Sequence, residues 1–211
     1  MESTVSQKLD IERGDGEPAG ESTTAPVRAR PLWRNAAEII VMLAILVGLL
    51  NLLTVGAELN GSIMAPTLND GQRVLASRIT YSLFPPQRGD VVTLTDPLNP
   101  SGVIVLRVIG LPGERVELRG QQVLINSQPL TEDYLGNPLI LGNNLTGTLQ
   151  LALPPNQYFV LGDNRLSMND SRSWGPVPAS SILGRVWLTY WPPDTIALVQ
   201  PARYDSTLTG Q

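Results

Sequence analysis

The chain has 211 residues, enough for one domain of ordinary size with an extension, and its 42% apolar and 16% charged composition with 18 prolines and 19 glycines excludes disorder throughout. A net charge of −4 and a pI near 4.8 leave no broad basic face, so nucleic acid is dropped as a partner class. With no Cys, no His and one lysine, Lys8, against fourteen arginines, the chain has no thiol nucleophile, disulfide, imidazole base or histidine-ligated metal.

Residues 1–35 are rich in Glu, Ser, Thr, Gly and Pro and poor in large apolar residues, the pattern of a flexible tail. From Ile39 to Val55 the run IIVMLAILVGLLNLLTV carries no charge, and with its small flanking residues it predicts a transmembrane helix over 36–57. Arg28, Arg30 and Arg34 precede it with no acid between Ser22 and Ala37, and Trp33 stands at an interfacial position. That bias predicts a cytoplasmic N-terminus and an extracytoplasmic main domain, in periplasm or lumen. A cleaved secretory signal ending near Val55-Gly56-Ala57 and a buried core helix are the two alternatives. The leader is too long and too acidic for the first, with Asp10, Glu12, Asp15, Glu17 and Glu21 ahead of the run.

Residues 58–201 alternate short strand-like runs with turn signals: 72–79, 90–95, 103–109, two runs flanking Gly120, 148–153, 157–162 and 184–191. The fold class is mostly β, built from antiparallel sheets. In ERVELRG, Val116 and Leu118 alternate with Arg115, Glu117 and Arg119, the pattern of a strand with one wet face. Asn126 to Asn144, punctuated by Pro129, Gly136, Pro138 and Gly142, reads as a long irregular connection, and residues 202–211 as a frayed end.

Four stretches follow the apolar run in order: GSIMAPTL at 61–68, RGDVVTL at 88–94, LRVIGLPGE at 106–114 and GDNRLSMNDSRSWGPVP at 162–178. Together they resemble the type I signal peptidase (leader peptidase) family, the S26 serine endopeptidases. The resemblance covers essentially the whole domain after the anchor. It implies the signal peptidase I type of fold with one N-terminal transmembrane helix, a small variable insertion at about 116–156, and removal of signal peptides on the outer side of the cytoplasmic membrane.

The same resemblance exposes a departure. The family's serine nucleophile directly precedes the methionine of the first stretch, and here Ile63 precedes Met64. Its lysine base directly precedes the arginine of the third stretch, and here Leu106 precedes Arg107. A serine two residues before Asp-Ser-Arg, which hydrogen-bonds that lysine in many members, corresponds to Met168. A Ser-Lys dyad needs a lysine whose pKa is lowered by an apolar pocket, and leucine supplies no proton acceptor. Replacing all three avoids leaving one polar group buried alone, and predicts an apolar patch that packs well and performs no acyl transfer.

No catalytic residue is therefore expected to be retained. Ser62 is adjacent but points to the opposite face of an extended segment. Arg107 cannot act as a base, and Asp163 and Asp170 are expected to be turn and ion-pair residues. Gly162, Asp163, Asn164, Arg165, Asp170, Ser171 and Arg172 form the expected structural motif, with Asp170 pairing Arg172. Leu111-Pro112-Gly113 is expected to be a turn. Gly61, Ser62, Ile63, Met64, Pro66 and Leu106 are expected to line a peptide groove. Trp174, Trp187, Tyr190 and Trp191 suit core packing or a membrane-facing belt.

No metal and no cofactor are expected. The leading reading is a membrane-bound homologue that binds an extended apolar peptide or a membrane-protein partner, including an active paralogue or a larger membrane complex that it assembles or stabilises. An active signal peptidase with an unorthodox nucleophile and a purely structural membrane subunit are the alternatives.

Overall fold

The computed structural model describes residues 32–120, 122–135 and 148–204. Most of the expected tail, the segment 136–147 and residues 205–211 lie outside the described residues. Contacts divide the chain after Met42, so the first unit contributes only the start of helix α1, Leu32–Leu53, and the second, from Leu43, holds everything that follows.

Within α1, Ala36–Leu53 has a mean hydropathy of 2.5 and none of it is buried in the chain's own structure. It is long and apolar enough to cross a membrane by length and composition. The helix starts at Leu32, inside the expected tail, and stops at Leu53, four residues before the expected end. Hydropathy continues through Thr54-Val55-Gly56-Ala57, but two β-branched residues and a glycine favour extended chain over helix. The Thr54 hydroxyl donates back to the Leu50 carbonyl at 2.8 Å, and the chain then runs out as β1, Thr54–Glu58.

The large sheet has eight strands. Its path is β1, β2 (Arg73–Ser77), β11 (Ile182–Trp191), β3 (Val91–Asp96), β4 (Asn99–Gly110), β9 (Gln157–Leu161) and β10 (Val177–Pro178), with β12 (Ala197–Leu198) on β11. All the pairings are antiparallel. Val91 to Leu94 and Val105 to Gly110 are buried without alternation, because β3 and β4 are central and covered on both faces.

A second sheet of four strands, in the order β7 (Gln128–Pro129), β6 (Gln122–Ile125), β5 (Arg115–Arg119) and β8 (Thr148–Ala152), falls within the stretch marked out as an insertion. Val116 and Leu118 face its core as expected, but Glu117 is not on a wet face. Arg115 and Arg119 pair with it at 3.3 and 2.7 Å and cover it; burial pushes its carboxyl up, but a side-chain hydrogen bond with Gln150, then the hydrogen bond and charge of Arg119 and the charge of Arg115, hold it below the ordinary range.

Part of the connection read as irregular is ordered: Asn126 and Ser127 turn the chain with positive φ, and Asp133–Leu135 forms one 3₁₀ turn. The C-terminus does not fray at 202. The Ala202 amide donates to the Gly89 carbonyl at 3.1 Å, and Tyr204 packs edge-on against Tyr134 with ring centres 6.5 Å apart.

Candidate functional site

The first stretch links β1 to β2. Gly61 takes a φ of +86° and its amide is held by the Asp70 carboxylate, which turns the chain into a run of tight turns. The Leu68 amide donates to the Met64 carbonyl at 2.9 Å, and both side chains point into the core.

Ile63 is half-buried, and its carbonyl accepts from the Asn164 amide at 2.9 Å. A Cβ on Gly162 would stand 2.6 Å from the Ile63 oxygen and 2.8 Å from its Cγ1. Only glycine permits this approach, so the first and fourth stretches are clasped at the level of the main chain.

Leu106 lies on β4 with no exposed surface, packed in a cluster with Val92, Leu94, Val108, Tyr158 and Val160. Ile63 packs against this cluster and also against the one containing Met64. The nucleophile and base positions of the resemblance thus close on a single dry region. Two expectations are corrected. Met64 and Leu106 are wholly buried and line no open groove, which leaves Gly61, Ser62 and Pro66 exposed and Ile63 at the edge. Met168 is 45% exposed on its loop and takes no part in the packed patch.

Around this apolar centre stands a polar frame. Arg107, the residue after Leu106, is buried and donates Nε to Asp163 Oδ1 at 2.8 Å, Nη2 to Asp163 Oδ2 at 2.6 Å and Nη1 to the Gly89 carbonyl at 2.9 Å. Its guanidinium lies 4.1 Å from the Tyr134 ring centre. Burial opposes the Arg107 charge, and the Asp163 hydrogen bonds and charge more than offset that, so the group is held charged more firmly than usual.

Asp170 caps the short helix α2, Ser171–Trp174, by accepting from the Arg172 amide at 3.0 Å. The Arg172 side chain pairs with it at 2.8 and 2.6 Å, as expected, and also donates to the Arg165 carbonyl at 2.8 Å. Ser171 accepts from the Val160 amide at 3.0 Å, which ties α2 to β9. Asn164 builds its turn by accepting from the Leu166 amide at 3.1 Å.

Arg165 completes the frame through Glu132, with its Nη1 at 3.0 Å from the carboxylate, and Tyr134 and Tyr204 join the same network. Burial raises both tyrosine pKa values, that of Tyr204 to about 12. Sequence reading did not single out Glu132, Tyr134 or Tyr204. The signal available was Asp133-Tyr134-Leu135 beside Glu132 in a stretch otherwise made of turn residues.

The chemistry open to this arrangement is narrow. Ser62 is exposed, and its hydroxyl accepts from the Asn164 side-chain amide at 3.3 Å, a donor that cannot take up the serine proton. Among the described residues no group of three or more acids is placed to hold a metal.

The sequence profile of the family described as "Signal peptidase, peptidase S26" matches residues 32–191. A signal peptidase I of Leptolyngbya laminosa is 32% identical over 204 residues, covering 93% of this chain and 98% of its own length. A signal peptidase I of Bacillus caldolyticus is 36% identical over 141 residues, covering 63% and 76% respectively. The solved structure of a signal peptidase I from Enterococcus faecalis V583 is 37% identical over 48% of this chain and 97% of its own, with a TM-score of 0.44.

Proposed function

The chain belongs to the signal peptidase family, peptidase S26, and from that premise we propose that it is a proteolytically silent member. It is anchored through α1 with its β domain on the outer side of the membrane, and it acts by binding. The observation that carries this reading is the packing of Ile63 and the fully buried Leu106 into one apolar region, where hydrolysis would need a hydroxyl and a neutral amine. No histidine exists to replace that pair.

The surface left for binding is the exposed edge around Gly61, Ser62 and Pro66, beside the Asn164 turn and the exposed Leu166 and Met168. An extended apolar peptide or the extracytoplasmic segment of a membrane partner is the occupant that such an exposed, partly apolar surface suits. An active paralogue or a larger membrane complex falls within that class.

The test is cleavage of a model pre-protein by the detergent-solubilised chain beside Ile63→Ser, Leu106→Lys and the variant carrying both. Wild type and single variants are expected to be silent, and the double variant to regain weak cleavage at the signal site. Cleavage by wild type would overturn the reading and send the search to Ser62.

A further inference from the structure

Away from the family stretches, a cavity of about 540 Å3 opens where α1 ends. It is lined on the helix side by Leu50, Leu53 and Thr54 and on the sheet side by Ser77, Thr80, Arg185 and Trp187, with Ile79 between. The helix ends at Leu53, so the cavity lies where the apolar run of α1 passes into β1.

Its polar groups are those of an anion site. Arg185 is held by its Nε, 3.2 Å from Asp90 Oδ1, and Asp90 is itself fixed by the Tyr81 hydroxyl and the Gln87 amide, each at 3.0 Å. Among the described residues the terminal nitrogens of Arg185 have no hydrogen-bond partner. Thr80 donates to the Ser77 hydroxyl oxygen at 3.0 Å, which leaves the Ser77 proton free to be given. Thr54 is spent on the Leu50 carbonyl. Arg78 stands between the lining residues Ser77 and Ile79, its amide bonded to the Leu53 carbonyl at 3.0 Å, and its exposed side chain has no ion pair among the described residues.

The geometry points to a site for one anionic phospholipid, its phosphate taken by Arg185 with Ser77, the exposed Arg78 next in the chain adding positive charge nearby, and its acyl chains running along Leu50, Leu53, Ile79 and Trp187. A guanidinium presents a planar fork to phosphate oxygens, and a tryptophan at the boundary suits a ligand with one wet and one oily end. Charge complementarity and continuity with the apolar run of α1 together favour a lipid over a soluble anion, which would gain nothing from the apolar wall. The inference rests on the reading that α1 spans the membrane.

The experiment is native mass spectrometry of the full chain in detergent with equimolar phosphatidylglycerol and phosphatidylcholine. The expected result is one phosphatidylglycerol per chain, retained in preference to phosphatidylcholine by about fivefold or more. Arg185→Gln is expected to abolish the preference and Arg78→Gln to reduce it. Because Arg185→Gln leaves Asp90 without its cation, the exposed Arg78→Gln variant and the wild-type preference keep the test independent of any folding defect.

Equal retention of the two lipids by wild type overturns the proposal, as does displacement of the bound lipid by inorganic phosphate alone. Alkaline carbonate extraction of membranes separates the two premises. A chain that stays in the pellet yet shows no preference refutes only the lipid site, whereas one that is extracted removes the membrane reading and the site with it.

Discussion

Leu106 and Arg107 are adjacent on β4 and stand on opposite sides of a divide. Leu106 sits in a cluster of mostly apolar side chains with no side-chain hydrogen bond to lose, while Arg107 is enclosed by a carboxylate, a carbonyl and an aromatic ring. The apolar centre holds Ile63 and Leu106, and the polar frame ties β4 to the loops around it through Arg107, Asp163 and Gly89. A catalytic serine and lysine support each other and little else, so exchanging them together orphans nothing, whereas losing one member of the frame strands a buried charge.

Breaking the frame gives the largest effect. Arg107→Met leaves Asp163 buried without its cation and is expected to cost about 3–5 kcal/mol in urea unfolding, while Arg107→Met with Asp163→Leu recovers most of it. A single variant within 1 kcal/mol of wild type, on the order of ordinary surface changes, would erase the contrast between the two regions.

Charging the centre comes next. Leu106→Lys puts an amine where no water reaches, so its folded-state pKa lies below the ordinary value of about 10.4, at about 1.4 kcal/mol per unit of depression. Because the folded state then binds the proton less tightly than the unfolded state, the loss of stability is greatest at acid pH and shrinks as pH rises towards 10.4. A loss independent of pH would show that the amine reaches solvent.

Smaller effects test the edges of the frame. Tyr204 is raised from 10.0 to about 12 by burial, so its contribution is full below pH 10 and is lost as pH rises through 12. Tyr204→Phe is expected to cost about 1 kcal/mol at neutral pH and to remove one late step from the ultraviolet tyrosine titration. Met168→Ser, on an exposed loop, is expected to change stability by less than about 0.5 kcal/mol. A larger change in thermal unfolding would return Met168 to the packed centre.

Most strands were legible because the apolar runs are short, β-branched and closed by turn residues, as with β3 between Asp90 and Pro97 or β9 before Gly162. The start of β1 was not, since hydropathy carries on from α1 without a break and only backbone preference separates helix from strand there. The Asp170–Arg172 pair and the Asn164 turn were readable because both are local. The partnership of Arg165 with Glu132, 33 positions away, was not, because nothing in a single chain marks which charges its topology brings together. Packing of Leu106 followed from its apolar neighbours, but burial of Met64 away from any groove did not, since a motif names neighbours in sequence and not the layer that covers them.

The order of the large sheet places β11 between β2 and β3. Those two strands follow one another in the chain, yet neither meets the other, and both wait for a partner that ends only at Trp191. A polypeptide emerging from its N-terminus therefore carries two unpaired edges until β11 has been delivered, and such edges invite pairing with other chains. Among the described residues β11 is the strand that closes the large sheet, and its arrival removes both edges at once.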